Sequence, residues 1–545
     1  MRTPPGALLV PLLLAVAACG STTASSTATG AKPVDGGTLT YAVNTEPTTC
    51  LDPHQSPADV AGLFTRPALD SLVALAADGT IHPWLATSWT VSKDLQTYTF
   101  TLRTDVRFSD GTAFDANAVK ANLDHIAAPA TKSQLAVGVL GPYTGTTVVN
   151  DHTAEVHFAR PYSAFLAGLA TAYFGIESPA SLKQPEATLC STKVIGSGPF
   201  IIDSYGVGQG ISFHRNPAYH WGPQTAAHTG PAHLEKLTIK LVQEDSVRLG
   251  GLESGQFDAI ASVPPVSVAT VKANPQLNVL TRQAPGGNYN YYPNTTRGPF
   301  ADVRVRKAFR DGIDFKTIID RLYFGVFQPA KGALSPATTG YDHTVETQWS
   351  YNQAEANQLL DQAGYTTKDA AGYRTRNGQR LTVTWNFFKA GAREQRDTLA
   401  TQIQAAAKQI GIDVEFGATG TVGQFLAAFV KGDYDLADTS WQREDADSLR
   451  TLFATGSIPT PAKFGINVAR YSNPEVDAWL EQALAVTDPA AKAALYAKVQ
   501  QRVNDDAIVF PVYVFNYVLG EQRKVHGIGW EPQAYPLFYD AWLAK

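Results

Sequence analysis

The chain has 545 residues, too many for one hydrophobic core and enough for two or three compact units. With 44% hydrophobic and 17% charged residues it is globular, and its formal charge of -5, spread without long runs of one sign, gives nucleic acid nothing to bind. No segment beyond the N-terminus approaches the roughly 20 apolar residues that cross a bilayer.

The N-terminus carries Arg2, an apolar run from Ala7 to Ala18 broken by Pro11, and then Val16-Ala17-Ala18-Cys19. The run is too short for a membrane span and fits an export signal over residues 1–18. Small residues before Cys19 match the lipobox of bacterial lipoproteins, so Cys19 is expected to become the lipidated first residue, anchored on the extracytoplasmic face of the cell membrane. Loss of Arg2 takes the charge from -5 to -6. Residues 19–35 are rich in Ser, Thr, Ala and Gly and lack apolar bulk, as a flexible linker does. With Cys19 lipidated, Cys50 and Cys190 remain as an even pair in an exported chain. The compartment permits a disulfide between them; two buried free thiols are the other reading.

Ordered sequence begins with a short strand at Leu39–Val43. Trp84–Arg103 alternates around Ser92-Lys93-Asp94 as a hairpin, and Asp115 caps a helix with Val119, Leu123 and Ile126 on one face. Further on, Leu381, Val383, Trp385 and Phe387 repeat at period two, and Leu399, Ile403, Ala406 and Ile410 at helical spacing. Ile412, Val414 and Phe416 alternate again, Phe425, Leu426 and Phe429 mark another helix, and Tyr434–Trp441 is the next strand. This βαβαβ run predicts a parallel or mixed sheet with helices on its faces. Asn473-Pro474 and Asp488-Pro489 place a cap before a proline at two helix starts, and Asp302 caps a third. Ala507–Leu519 is almost wholly apolar, either a strand buried on both faces or a chain crossing between lobes. There is no internal repeat.

Catalytic signatures are missing: G-x-S-x-G, H-E-x-x-H and G-x-x-x-x-G-K-[ST] do not occur. Gly196-Ser197-Gly198-Pro199 has the wrong spacing for a nucleophile elbow and is a turn. His214, His220, His228 and His233 fall close together, but their irregular separations suit solvated loop histidines better than metal ligands. The carboxylate pairs Glu444-Asp445 and Asp505-Asp506 are merely adjacent in sequence. No catalytic residue, cofactor or metal is expected.

An ordered series of short motifs remains: Gly36-Gly37-Thr38-Leu39, Leu51-Asp52-Pro53, Pro83-Trp84-Leu85-Ala86, Tyr98-Thr99-Phe100, Phe108-Ser109-Asp110-Gly111-Thr112 followed by a helix carrying Asn122, Gly196–Phe200, Arg215–Tyr219, Ser254–Asp258, Pro299–Ala308 and Tyr471–Asp477. Taken together and in this order, they resemble the extracellular solute-binding proteins of ATP-binding-cassette importers, in the oligopeptide, dipeptide and nickel class. The resemblance implies an α/β, two-lobed periplasmic-binding-protein type II (Venus-flytrap) fold with an extra subdomain in the first lobe. The corresponding divisions are residues 36–74, 184–283 and 512–545 for the first lobe, 75–183 for its subdomain and 284–511 for the second lobe.

The resemblance also implies a monomeric receptor, not an enzyme, that captures a peptide or similar small polar solute between its lobes and passes it to membrane permease subunits. An exported cell-envelope hydrolase and a peptide-signal receptor without transport are the alternatives. In peptide-binding relatives a tryptophan is followed three positions later by an aspartate that pairs with the ligand ammonium group; here Trp441 is followed by Glu444. Arg443 could neutralise Glu444 instead. Tyr289 and Tyr291, which alternation points the same way, match cleft aromatics, whereas Tyr292 is expected in the core. Glu46 matches a stretch near the ligand backbone, and Asp447 matches an acidic position belonging to a turn.

Overall fold

Seven strands form the first-lobe sheet, in the spatial order Leu277–Gln283, Asn516–Gln522, Ala259–Ile260, Thr38–Val43, Lys236–Leu241, Gly210–Arg215 and Phe200–Gly206. The computed structural model describes residues 1, 32–47, 50–56, 60–191, 194–417, 420–463 and 465–545; Cys19, the export signal and most of the linker lie outside the described residues. Thr38–Val43 runs parallel to both of its neighbours. Leu39, Tyr41 and Val43 enter one core and Ala42 another, so helices and loops cover the strand on both faces, as a parallel strand requires.

The second lobe has a six-stranded sheet in the order Gln328–Pro329, Phe510–Val514, Gly286–Pro293, Leu436–Gln442, Thr382–Asn386 and Asp413–Phe416. Thr382–Asn386 is parallel to both Asp413–Phe416 and Leu436–Gln442, and helices Arg396–Gln409 and Val422–Lys431 make the connections. The βαβαβ run is therefore realised as expected. The three proline-associated or acidic caps form too: Asp302 accepts from the Arg304 amide, Asn473 from those of Glu475 and Val476, and Asp488 from that of Ala491.

The subdomain sheet is antiparallel, in the order Ala86–Val91, Thr97–Leu102, Thr153–Phe158 and Tyr143–Asn150. Tyr98, Phe100 and Leu102 alternate with threonines, so one face packs on helix Ala116–Ala127 through Val119, Leu123 and Ile126, and the other faces solvent. Cys50 and Cys190 are joined by a disulfide.

Two strands pass from sheet to sheet side by side. Leu277–Gln283 continues into Gly286–Pro293, Phe510–Val514 continues into Asn516–Gln522, and the Ala284 amide donates to the Phe515 carbonyl at 2.9 Å between them. The return crossing thus falls at Phe515, not at the expected boundary of 512, because Phe510–Val514 belongs to the second sheet. The apolar run 507–519 is both things at once: one strand of each sheet, joined at the crossing.

Candidate functional site at the lobe interface

The lobes meet along a seam on which the subdomain and the second lobe exchange polar contacts. Ser163 donates to the carbonyls of Leu484 and Ala483 at 2.9 and 3.2 Å, Arg160 pairs with Glu481, and Arg450 donates to the Tyr162 hydroxyl at 3.3 Å. From the C-terminal part of the first lobe, Gln533 donates to the Gln442 carbonyl at 3.1 Å.

The end of strand Leu436–Gln442 delivers Trp441, Arg443 and Glu444 into this seam. Its partner strand begins at Gly286, with φ +91°, where a Cβ would lie 2.1 Å from the Arg443 amide nitrogen; only glycine permits so close an approach. Trp441 is half-buried and packs against both the subdomain core and a second-lobe core. The Arg443 guanidinium lies 5.8 Å from the ring centre of Tyr173, across the seam, and 5.9 Å from that of Trp441. Arg443 Nη2 is 3.6 Å from Glu444 Oε1.

This neutralising pair is incomplete. Arg443 Nε and Nη1, Glu444 Oε2 and Trp441 Nε1 are buried and have no hydrogen-bond partner. A buried donor or acceptor left unmade costs about 1–3 kcal/mol, more for a charged group. Here four such atoms lie within four consecutive residues, two cationic-group donors and one carboxylate acceptor among them. Burial, opposed by Arg443 and reinforced by Asp445, pushes the Glu444 carboxyl up to about 7. The arrangement can receive a carboxylate on Arg443 and an ammonium group on Glu444.

A cavity of about 160 Å³ adjoins Trp441, lined also by Thr439, Ser440, Phe425, Arg393 and, from the subdomain, Leu135. Next to Arg393, Glu394 and Gln395 hold φ of 50° and 55°, a left-handed pair of non-glycine residues that marks a constrained loop at the cavity edge. A larger cavity of about 420 Å³ has no second-lobe residue in its wall. Of its three acidic groups, Asp70 already accepts from Ser197, Tyr219 and Trp221, Glu531 lies 3.7 Å from Arg66 and Asp540 accepts from the Ala227 amide at 3.1 Å. The Asp70 network belongs to the scaffold, and the seam, to which both lobes contribute, is the better site.

The other residues singled out on the sequence lie elsewhere. Tyr289 and Tyr291 do point the same way, their ring centres 5.6 Å apart, but both are fully buried in the core shared with Trp385, Phe315 and Tyr513 and neither lines the cavity. The Tyr289 hydroxyl donates to Asp438 at 2.8 Å, and the Arg396 guanidinium sits 4.1 Å above its ring. Tyr292 packs in a separate core with Phe453. Glu46 accepts from the Gly208 amide at 2.7 Å, within the first lobe. Asp447 anchors Arg450 through three hydrogen bonds, a scaffold role. The four clustered histidines are not simply solvated: His214, His220, His228 and His233 pair with Asp203, Asp105, Asp540 and Asp35 respectively. Tyr173 and Leu135, which complete the seam from the subdomain, carry no sequence signal that separates them from ordinary core residues.

Comparison with known proteins agrees with this architecture. The profile of the bacterial extracellular solute-binding proteins, family 5 middle region, matches residues 80–458. The chain is 28% identical over 501 residues to the glutathione-binding protein GsiB of Shigella dysenteriae, covering 90% of this chain and 92% of that one. It is 26% identical over 475 residues to the nickel-binding periplasmic protein of Escherichia coli, covering 85% and 87%. Its fold superposes on the oligopeptide-binding protein AppA of Bacillus subtilis, solved with a nonapeptide, with a TM-score of 0.80 at 21% identity over 94% of this chain and 100% of the other. With two sheets joined by paired crossing strands and more than half its length matched, the chain belongs to the bacterial extracellular solute-binding proteins, family 5.

Proposed function

We propose that this chain is the solute receptor of an ATP-binding-cassette importer, lipid-anchored through Cys19 to the extracytoplasmic face of the cell membrane. It encloses a peptide or similar small polar solute bearing both an amine and a carboxylate, and releases it unaltered to the permease. The observation that carries this reading is the set of buried, unpartnered atoms on Trp441, Arg443 and Glu444 at the seam. A zwitterionic guest would satisfy Arg443 through its carboxylate and Glu444 through its ammonium group, while Trp441 and Tyr173 supply rigid aromatic walls. Relatives named for glutathione and a structure holding a nonapeptide support this solute class.

Closure follows from the same geometry. Two adjacent strands, crossing at Ala284-Pro285 and Phe515, allow the lobes to rotate about one line. A guest contacting both lobes favours the closed state by its differential affinity for it, and so couples capture to docking on the permease.

The test is native mass spectrometry of solute co-purified with the protein, followed by calorimetry. Glu444→Gln is expected to weaken a free-amine solute by more than tenfold, on the order of 1.4 kcal/mol. Unchanged affinity would remove Glu444 from the site, and recovery of a chemically altered guest would favour an exported hydrolase.

A further inference from the structure

Where the first lobe meets its subdomain, the loop after strand Thr38–Val43 brings Asp52 and His54 against His125, in the last turn of helix Ala116–Ala127. Each offers one ligand atom, and these atoms all lie within 4.8 Å of one another. Asp52 and His54 are buried, and the His125 side chain is 18% exposed.

The hydrogen bonds define which atoms are free. His54 Nε2 faces the Gly175 carbonyl at 2.9 Å. A carbonyl only accepts, so the proton sits on Nε2 and Nδ1 carries a bare lone pair. That Nδ1 is buried, has no hydrogen-bond partner and lies 3.8 Å from Asp52 Oδ1. Asp52 Oδ1 accepts from the His54 amide at 2.7 Å, so the lone pair left without a donor is that of Nδ1, at a cost that a bound cation would remove. His125 Nε2 is 3.1 Å from Asp52 Oδ2. A second buried carboxyl, Glu177, lies beside Asp52, and its Oε2 accepts from Ser181 at 2.8 Å.

We propose that Asp52, His54 and His125 form a site for one divalent transition-metal ion of the zinc type. The spacing of one ligand atom from each residue, all within 4.8 Å of one another, lies close to the edge of about 3.3 Å expected for a tetrahedron with bonds near 2.0 Å, so a small contraction onto an ion completes the geometry. Two nitrogens and a carboxylate, with no thiolate, favour zinc, nickel or cobalt over copper(I). Supporting contacts are in place as well. The Gly175 carbonyl holds the His54 tautomer that leaves Nδ1 to ligate. Thr131 Oγ1 donates to the His125 carbonyl at 2.5 Å and stands 3.3 Å from His125 Nδ1, ready to accept that proton when Nε2 turns to metal. The ion would tie the Asp52 loop to the subdomain helix beside the Cys50–Cys190 disulfide. No second-lobe residue takes part, so solute exchange at the seam leaves the site intact.

The test uses tag-free full-length protein stripped with EDTA, titrated with zinc by equilibrium dialysis and with cobalt by visible absorption. The expected result is one equivalent of zinc and the absorption of a tetrahedral cobalt centre. Each of His54→Gln and His125→Gln is expected to weaken binding by at least about tenfold, while Trp441→Ala keeps it. Absence of stoichiometric binding in the unaltered protein overturns the proposal without appeal to any variant. So does undiminished binding in both histidine variants, which would move the metal to other ligands such as the His214–His233 region. Solute affinity, measured separately, reports on the seam alone.

Discussion

Glu444→Gln tests the electrostatics of the seam before any solute is known. Burial outweighs the stabilising charge of Arg443 and lifts the carboxyl from 4.5 to about 7. A carboxyl raised in the folded state binds its proton more tightly folded than unfolded, so folding stability falls as pH rises from about 4.5 to about 7 and is flat on either side. At 1.36 kcal/mol per unit, holding the charge at pH 8 costs on the order of 3 kcal/mol. Glutamine keeps the size and carries no charge at either pH. For about 500 folded residues, whose unfolding entropy near Tm is roughly 1 kcal/mol/K, that corresponds to about 3 °C. The assay is differential scanning calorimetry of solute-free wild type and E444Q at pH 4.5, 6 and 8. The variant is expected to gain about 3 °C relative to wild type between pH 4.5 and 8. Other titrating groups are common to both proteins and cancel. Parallel curves of Tm against pH would refute the claim that an imperfectly compensated carboxylate is buried at the seam.

Replacing both Cys50 and Cys190 with serine opens a loop spanning 140 residues; by chain entropy the loss is at most about 5 kcal/mol, visible as a lower Tm in calorimetry. Tyr289→Phe removes the donor to Asp438 and leaves that buried carboxylate with Trp385 Nε1, at 2.9 Å, so stability is expected to fall by about 1–3 kcal/mol with solute affinity unchanged. A tenfold or greater loss of affinity in that variant would instead bring Tyr289 into the solute site. Cys19→Ser is expected to abolish metabolic labelling with palmitate and release the protein from membranes, whereas retained label would place the lipid elsewhere.

The fold was legible wherever packing depends on local period. Leu381, Val383, Trp385 and Phe387 alternate because their strand sends one face into the second-lobe core, and all four are buried. Asp115, Asn473 and Asp488 are read as caps because the interaction spans two or three residues. The crossing at Phe515 was not legible, since 507–519 is apolar on both sides of it and period does not register a change of sheet. Tyr289 and Tyr291 show the same limit. Their shared direction follows from alternation, but which layer that direction meets depends on Phe315, Trp385 and Tyr513, which lie far away in the chain.

The candidate site was half legible for a related reason. Trp441 and Glu444 stand out by spacing, and Arg443 by adjacency, yet adjacency alone would make the pair a closed ion pair of no functional interest. What distinguishes it is a deficit, the atoms that remain without partners after the lobes have come together. Residue identity states what a side chain can bind; only the assembled neighbourhood states whether it has done so. The same logic separates Asp70, whose three donors leave nothing over, from His54, whose second nitrogen is held away from every donor. Both are buried polar groups in the first lobe, and composition treats them alike. An unmade buried bond costs more than a made one contributes, and the seam and the Asp52 cluster are two places among the described residues where several such groups converge and where a guest and an ion would make the deficit good.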